Sequence, residues 1–516
     1  MITLDLFVIL RNCQTAFLDQ VPHRDLARFR RFVLDAVADG WRVAAFFGAP
    51  KSVKEVELWA VLADDANGLL HVIKTSVTGE AFPSLTPECP QVQGFEREIA
   101  EQWGLRPEGH PWLKPLRFHK SYRLGAEVRQ HPVAEATRLA SEGPTIGITD
   151  FYRVEGEEVH EVAVGPVHAG VIEPGHFRFQ CHGEQVYHLE ISLGYQHRGV
   201  ERALIGGPNK RTIHYMETLA GDTSVGHATA YCQALDALAN CRVPARAQAI
   251  RGIALELERL ANHAGDLGAL AADVGYLPTA SFCGRLRGEF LNATALLCGS
   301  RLGRGLIRPG GVGFDLDDSR VHQLQMILSE ALKDLADSVS LLWDTPSVQG
   351  RFENTGAVSP DICEQLGIVG PAARACGVAR DVRSEFPTGI YRFSQIPVST
   401  AETGDVFARA YVRWLEIQRS VGFIQDQLNA LPGGPIKNKM GSLAPNLLVV
   451  SLTEGWRGEI CHVAMTDARG RFAHYKIVDP SFHNWMGLAL ALRNQQISDF
   501  PLCNKSFNLS YCGHDL

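Results

Sequence analysis

The chain has 516 residues, 45% hydrophobic and 21% charged, with 50 Lys and Arg against 57 Asp and Glu for a net charge of −7. That length exceeds the ~250–300 residues one hydrophobic core usually serves, so two or more domains are expected and disorder is excluded. Mild acidity without a long Lys/Arg block excludes the concentrated basic footprint of a nucleic-acid or anionic-membrane binder.

The N-terminal MITLDLFVILRNCQ has a short apolar run with no positive charge before it and reads as a strand rather than a signal peptide. LARFRRFVLDAVA (Leu26 to Ala38) has the spacing of a helix. WRVAAFFGA, VELWAVLAD and LLHVIKTSV read as strands, the last two joined by an Ala66-Asn67-Gly68 hairpin corner. Phe95 to Phe118 opens as an acidic helix ending at Gly104 and runs into a Pro-rich loop. Residues 126–148 read as a linker between a first domain at 1–125 and a second at 149–516. In the second, EEVHEVAVGPVHAG and HFRFQCHGEQVYHLEISLGYQHRGVE alternate, with His182-Gly183-Glu184 as a hairpin turn. Arg246 to Val274 carries one long apolar stripe, a helix of roughly 40 Å at ~1.5 Å per residue. Ser319 to Trp343 and Asp405 to Leu431 repeat the pattern, Ala430 to Gly441 is a loop, and LLVVSL, GEICHVAM and HYKIVDP form a terminal hairpin or small sheet. No stretch reaches the ~18–20 apolar residues of a spanning helix, so a cytoplasmic chain that meets a membrane only through partners is expected.

Twelve cysteines, at 13, 89, 181, 232, 241, 283, 298, 363, 376, 461, 503 and 512, contain no C-x-x-C pair. They are too few for a disulfide scaffold, and their spacing excludes zinc or iron–sulfur ligation from short local motifs.

FEREIAEQWGLRPEGHPWLKPL, with Glu96-Arg97-Glu98, Gly104 and His110-Pro111, resembles the signature of the hydrophilic C-subunit of respiratory complex I. GPVHAGVIEPGHFRF, LGYQHRGVER, HATAYCQALDAL, RGIALELERLANHAGDLGALAADVG, GIVGPAARACGVARDVR, EGWRGEICH and KIVDPSFHNW resemble the complex I D-subunit. They resemble still more the large subunit of energy-converting NiFe hydrogenases of the formate hydrogenlyase and hydrogenase-4 type. The resemblance covers nearly all of 95–516 in order. It implies an α+β fold: a small α+β domain, then a mostly helical hydrogenase-large-subunit-like domain with a small β-sheet, the functional cavity lying between sheet and helices.

NiFe hydrogenases of this kind hold their metals with four thiolates from two C-x-x-C motifs, soft ligands suited to nickel and iron. In the frame fixed by Glu217 and His227, the first pair falls on Ala220 and Thr223. Aligned on Ser506, Tyr511 and Asp515, the second pair falls on Ser510 and Gly513, with Cys512 between them. The sequence ends at Leu516 with no obvious tail to cleave after metal insertion. No metal is therefore expected, and the chain should not be an active NiFe hydrogenase. In complex I a quinone headgroup sits between a histidine of the first β-hairpin loop and a helix tyrosine. Here Gly221 stands at the tyrosine position, and the longer loop offers both His168 and His176.

Four polar groups remain as catalytic candidates. Glu173 matches a proton-exchange glutamate of the hydrogenase relatives and Arg457 an arginine that reaches over the metal site. Asp222 and His227 lie beside the vacated positions, and such groups in one cavity could exchange protons near neutral pH. Arg457 is the candidate partner for Asp222. Glu201, Arg202, Glu256, Glu258 and Arg259 are expected to form structural ion pairs. The resemblance implies an oxidoreductase subunit passing electrons from a neighbouring 4Fe-4S subunit to a quinone or other small acceptor. The implied partners are a B-subunit-type cluster protein, a ferredoxin-like cluster subunit, and membrane-arm subunits of the H-subunit and antiporter-like types, on the inner face of the cell membrane. The alternative is a catalytically silent scaffold with a plugged cavity. No Gly-rich dinucleotide fingerprint is present, so NAD would enter only through partners.

Overall fold

A computed structural model describes residues 7–52, 54–123, 145–170 and 172–516, so the expected linker lies outside the described residues up to position 144. The fold is α+β. Arg42–Pro50, Glu55–Asp64 and Leu69–Thr78 form an antiparallel meander, with Val8–Leu10 and His23–Arg24 added to its last strand. Helix Leu26–Ala38 begins where the Asp25 carboxylate accepts from the Arg28 amide and buries Phe29, Val33 and Ala36. At the hairpin corner Gly68 has φ +62°, and a Cβ there would lie 2.4 Å from the Glu385 carbonyl oxygen, so only glycine fits. Helix Gln93–Trp103 stops at left-handed Gly104, the stop its sequence predicts.

The second part opens with a three-stranded antiparallel sheet, Val159–Val164, His176–His182 and Gln185–Ser192, turning at residues 183–184. Helices Ser224–Leu238, Ala245–Asp273, Leu277–Cys298, Asp318–Trp343 and Val406–Asn429 follow. The three long apolar stripes mark their helices to within two residues. Leu277–Cys298, with Pro278 in its first turn, buries one face through Cys283, Leu286, Phe290, Ala293 and Leu297.

The strands near the C-terminus make one sheet in the order Phe472–Val478, Gly458–Thr466, Leu447–Gly455, Thr15–Phe17, so the N-terminal segment supplies its edge. Every residue of Leu447–Gly455 and Gly458–Thr466 is buried. Leu448, Val450, Leu452, Val463 and Met465 belong to the core of the first module, with Phe46, Phe47 and Trp59. Val449, Ala464, Tyr475 and Ile477 belong to the core of the helices. A sheet covered on both faces requires near-continuous apolar strands, which LLVVSL supplies, and each large side chain buried there contributes ~1.5–3 kcal/mol.

Buried charges fix the sheet laterally. Arg42 donates to both carboxylate oxygens of Glu459, one bond being 2.6 Å. Lys476 Nζ bonds Glu98 at 2.6 Å and Glu201 at 2.9 Å, and Arg117 pairs with the same Glu98. Burial works against the Glu98 carboxylate, but Lys476 and Arg117 hold it down at about 2. Its stabilising contribution is thus present above the ordinary carboxylate range and is lost as pH falls toward 2. Lys476→Met leaves buried Glu98 with Arg117 as its one remaining cation and Glu201 with the Ile477 amide, and should cost about 3–5 kcal/mol in chemical denaturation.

Candidate functional site

Arg457 sits on the turn between Leu447–Gly455 and Gly458–Thr466, and three contacts fix that turn. Arg259 donates to the carbonyls of Glu454 (2.8 Å) and Gly455 (3.0 Å). Trp456 Nε1 donates to the Asp222 carbonyl (2.9 Å) and Thr223 Oγ1 (3.1 Å). Gly370, at φ +71°, leaves no room for a Cβ, which would lie 2.2 Å from the Arg457 carbonyl oxygen.

The Arg457 guanidinium, 3.9 Å from the Trp456 ring centroid, donates to the carbonyls of Asn508 (2.6 Å) and Gly221 (2.7 Å) and to Thr223 Oγ1 (3.0 Å). It therefore ties the loop carrying Ala220 and Thr223 to the segment carrying Ser510 and Gly513. Asp222 is not its partner, and that expectation is corrected. The left-handed backbone at Asp222 (φ +54°) turns its carbonyl inward to Trp456 and Asn262. Its carboxylate, 42% exposed, pairs with Arg287 at 3.1 Å.

The buried carboxylate of this centre is Asp479. One oxygen accepts from the Ser481 amide (2.9 Å) and starts helix Pro480–Ala491; the other is 3.0 Å from His227 Nε2. His227 Nδ1 is 3.1 Å from His462 Nε2, and His462 Nδ1 is 2.9 Å from the Tyr475 hydroxyl. With both imidazoles neutral, donation runs one way: Tyr475 to His462, His462 to His227, His227 to Asp479. Protonating His227 reverses the two upstream bonds, so the chain can carry a proton without moving a heavy atom. Burial, helped by His227, lowers the His462 pKa well below the usual value. Burial opposes ionisation of Asp479, but His227, Arg457 and the Ser481 bond outweigh it and keep its carboxyl below the usual range.

The four positions that the sequence resemblance aligns with thiolates make other contacts. A Cβ at Gly513 would lie 2.7 Å from Asp479 Cγ, so that carboxylate fills the space a side chain would need. Ser510 Oγ accepts from the Gly513 amide (2.9 Å), and the Ser510 amide donates to Ser481 (2.8 Å). Thr223 Oγ1 donates to the Gly221 carbonyl and accepts from Trp456 and Arg457. Ala220 is buried and offers no ligating atom. This donor set suits no soft metal. Burial and the adjoining Glu173 carboxylate push the Cys512 thiol up to about 11, so it supplies no thiolate near neutral pH. Among the described residues no group of three or more His, Cys, Asp or Glu is placed to hold a metal ion.

Glu173 touches this centre, accepting from the Tyr511 amide at 3.1 Å. His168 and His176 do not join it by hydrogen bonds: His168 Nε2 donates to the Gly175 carbonyl (2.8 Å), and His176 bonds the Gly165 carbonyl (3.3 Å) and Arg178 (3.1 Å). Glu201 pairs with Lys476, and Glu256 with Arg259 and Arg383. Arg202 lies over the Tyr122 ring. Glu258 departs from the ion-pair expectation, accepting from the Val225 (2.6 Å) and Gly226 (3.0 Å) amides at the start of Ser224–Leu238. Asp479, His462 and Tyr475 were not singled out by sequence. Asp479-Pro480 carries the signature of a helix start, but its bond to His227 spans 252 positions.

Family models described as "Respiratory-chain NADH dehydrogenase, 49 Kd subunit" and "30 Kd subunit" match residues 273–447 and 24–141. The carbon monoxide-induced hydrogenase of Rhodospirillum rubrum is 32% identical over 351 residues, covering 68% of this chain and 97% of that protein. Hydrogenase-4 component G of Escherichia coli (strain K12) is 28% identical over 483 residues, covering 92% and 83%. In fold, the chain is similar to a chain of the membrane-bound sulfane sulfur reductase, an archaeal respiratory membrane complex. The TM-score is 0.66 at 23% identity, over 71% of this chain and all of that one.

Gly513→Ala should lower stability by about 1–3 kcal/mol, the Asp479–His227 pair having to shift, whereas Ala220→Ser should change it little; chemical denaturation compares the two. Burial pushes the Glu258 carboxyl up to about 8, against the two amides it accepts from. A raised acid makes stability highest below about pH 4 and lower as pH climbs through about 8. Subtracting the pH profile of Glu258→Gln from that of the native chain should isolate this slope.

Proposed function

Because this chain belongs to the family of complex I 49 kDa subunits and energy-converting hydrogenase large subunits, we propose that it is the hydrophilic core subunit of a membrane-associated oxidoreductase complex working without a NiFe centre. The observation that carries this reading is the Asp479 carboxylate standing where a side chain at Gly513 would project, bonded to His227 and within the field of Arg457. In this reading a polar, hydrogen-bonded centre takes the place of a four-thiolate cage.

In this reading electrons come from a neighbouring 4Fe-4S subunit and pass to a quinone or another small acceptor on the face next to Glu173 and Gly221. Gly221 is exposed, with nothing within 4 Å of where a Cβ would stand, and Glu173 accepts from the Tyr511 amide of the C-terminal segment. Glu173 would exchange protons with solvent, and the Asp479–His227–His462–Tyr475 chain would buffer charge behind it. Arg457 would supply a fixed positive charge at the acceptor, which favours the reduced anion. A ferredoxin-like cluster subunit, the H-subunit-type and antiporter-like membrane subunits, and a position on the inner face of the membrane complete the proposed assembly. His168 and His176 would shape the loop over the acceptor rather than ligate it, since their bonds hold that loop together.

A second reading has its own observation. All three bonds of the Arg457 guanidinium go to protein atoms, so the centre could serve only to bridge the cluster subunit and the membrane arm. Electron transfer to a soluble quinone in the assembled complex separates the two. Arg457→Ala and Glu173→Gln should each lower the rate at least tenfold with the complex still assembled. Full rates in both variants would leave the scaffold reading standing.

A further inference from the structure

On another face of helix Ser224–Leu238 lies a cavity of about 560 Å³, bounded also by the segment around Cys13, the start of Ala245–Asp273, the Gly389–Arg392 turn and strand Leu447–Gly455. Its volume falls in the ~300–1,000 Å³ range of small-molecule sites, at a junction of two modules, where such sites concentrate. None of Glu173, Asp222, His227 or Arg457 lines it.

Its charges are unbalanced. The carboxylates of the wall already have cations: Asp236 pairs with Arg251 at 2.9 Å and Glu454 with Arg374 at 2.8 Å. Two exposed arginines of the wall lack that balance. Arg392 makes one bond, from Nε to the Pro387 carbonyl (3.2 Å), and among the described residues no carboxylate pairs with Arg392 or Arg242. Burial pushes the Cys13 thiol up to about 11, so it adds no negative charge at neutral pH. Two further observations point to an occupant. Phe393, next to Arg392 in the wall, is 83% exposed, and Thr229, only 4% exposed, has a hydroxyl with no hydrogen-bond partner.

We propose that this cavity binds a small organic anion with a flat apolar body, its acidic end held by Arg242 and Arg392 and its body laid against Phe393 and Phe386. The planar guanidinium forks suit a carboxylate, phosphate or sulfonate, and aromatic rings suit a flat body. The site is independent of the electron-transfer reading and would stand if that reading fell.

The test is fluorescence titration of the full chain with 8-anilinonaphthalene-1-sulfonate, a flat aromatic anion, in parallel with the neutral N-phenyl-1-naphthylamine. The native chain should bind one equivalent of the sulfonate. Arg242→Gln with Arg392→Gln should weaken it about tenfold, leaving the neutral probe and the thermal midpoint unchanged because both side chains are exposed. Phe393→Ala should weaken both probes. Absence of saturable binding by the native chain, or equal sulfonate affinity in the double variant, would overturn the proposal.

Discussion

The sheet built from Leu447–Gly455, Gly458–Thr466 and Phe472–Val478 is buried on both faces, and the rest of the molecule is arranged to satisfy it. One face completes the core of the N-terminal module and the other lies against the helices, so neither core closes without it. Its edge is covered by Thr15–Phe17, which removes an unpaired ladder of amides and carbonyls. Alternation along these strands also decides which polar groups face the helices. His462 sits between apolar neighbours and can be buried only because His227 and Tyr475 meet both its ring nitrogens. A one-residue slip would send that ring into the opposite core.

The same sheet delivers Arg457. Its hairpin turn is clamped by Arg259 from one side and by the close approach of Gly370 to Gly458 from the other. Behind it, Arg374, Glu416, Glu454, Asp381, Arg383 and Glu256 form a continuous buried ionic network. Isolated buried pairs often add little net stability, since desolvation offsets attraction, but removing one partner from such a network is costly. The network therefore reads as a device for holding geometry. The centre it supports is closed by polar contacts, Arg457 to Thr223, His227 and Ser481 to Asp479, and Ser510 to Ser481 and Gly513.

Much of the fold was legible in the chain. The long helices follow their apolar stripes, and Gly68 and Gly104 stop their elements because each needs a left-handed backbone. Pairings across hundreds of positions were not legible. Asp222 drew attention as a new charge, yet its backbone sign, invisible in sequence, turns it toward Arg287. Asp479 looked like a helix cap and is one, but its second oxygen meets His227 only after strands Leu447–Gly455 and Gly458–Thr466 have packed on the Ser224–Leu238 helix. Glu258 read as an ion-pair member, and only the position of the Val225 and Gly226 amides gives it a different task.

The central claim is that hydrogen-bonded protein groups, with Asp479 foremost, stand where relatives of this fold would hold a metal. Elemental analysis of the assembled complex, purified from cells grown with added nickel, tests it most directly. The account predicts iron from the cluster-bearing partners and no stoichiometric nickel. One nickel per complex, lost on Asp479→Ala, would contradict it.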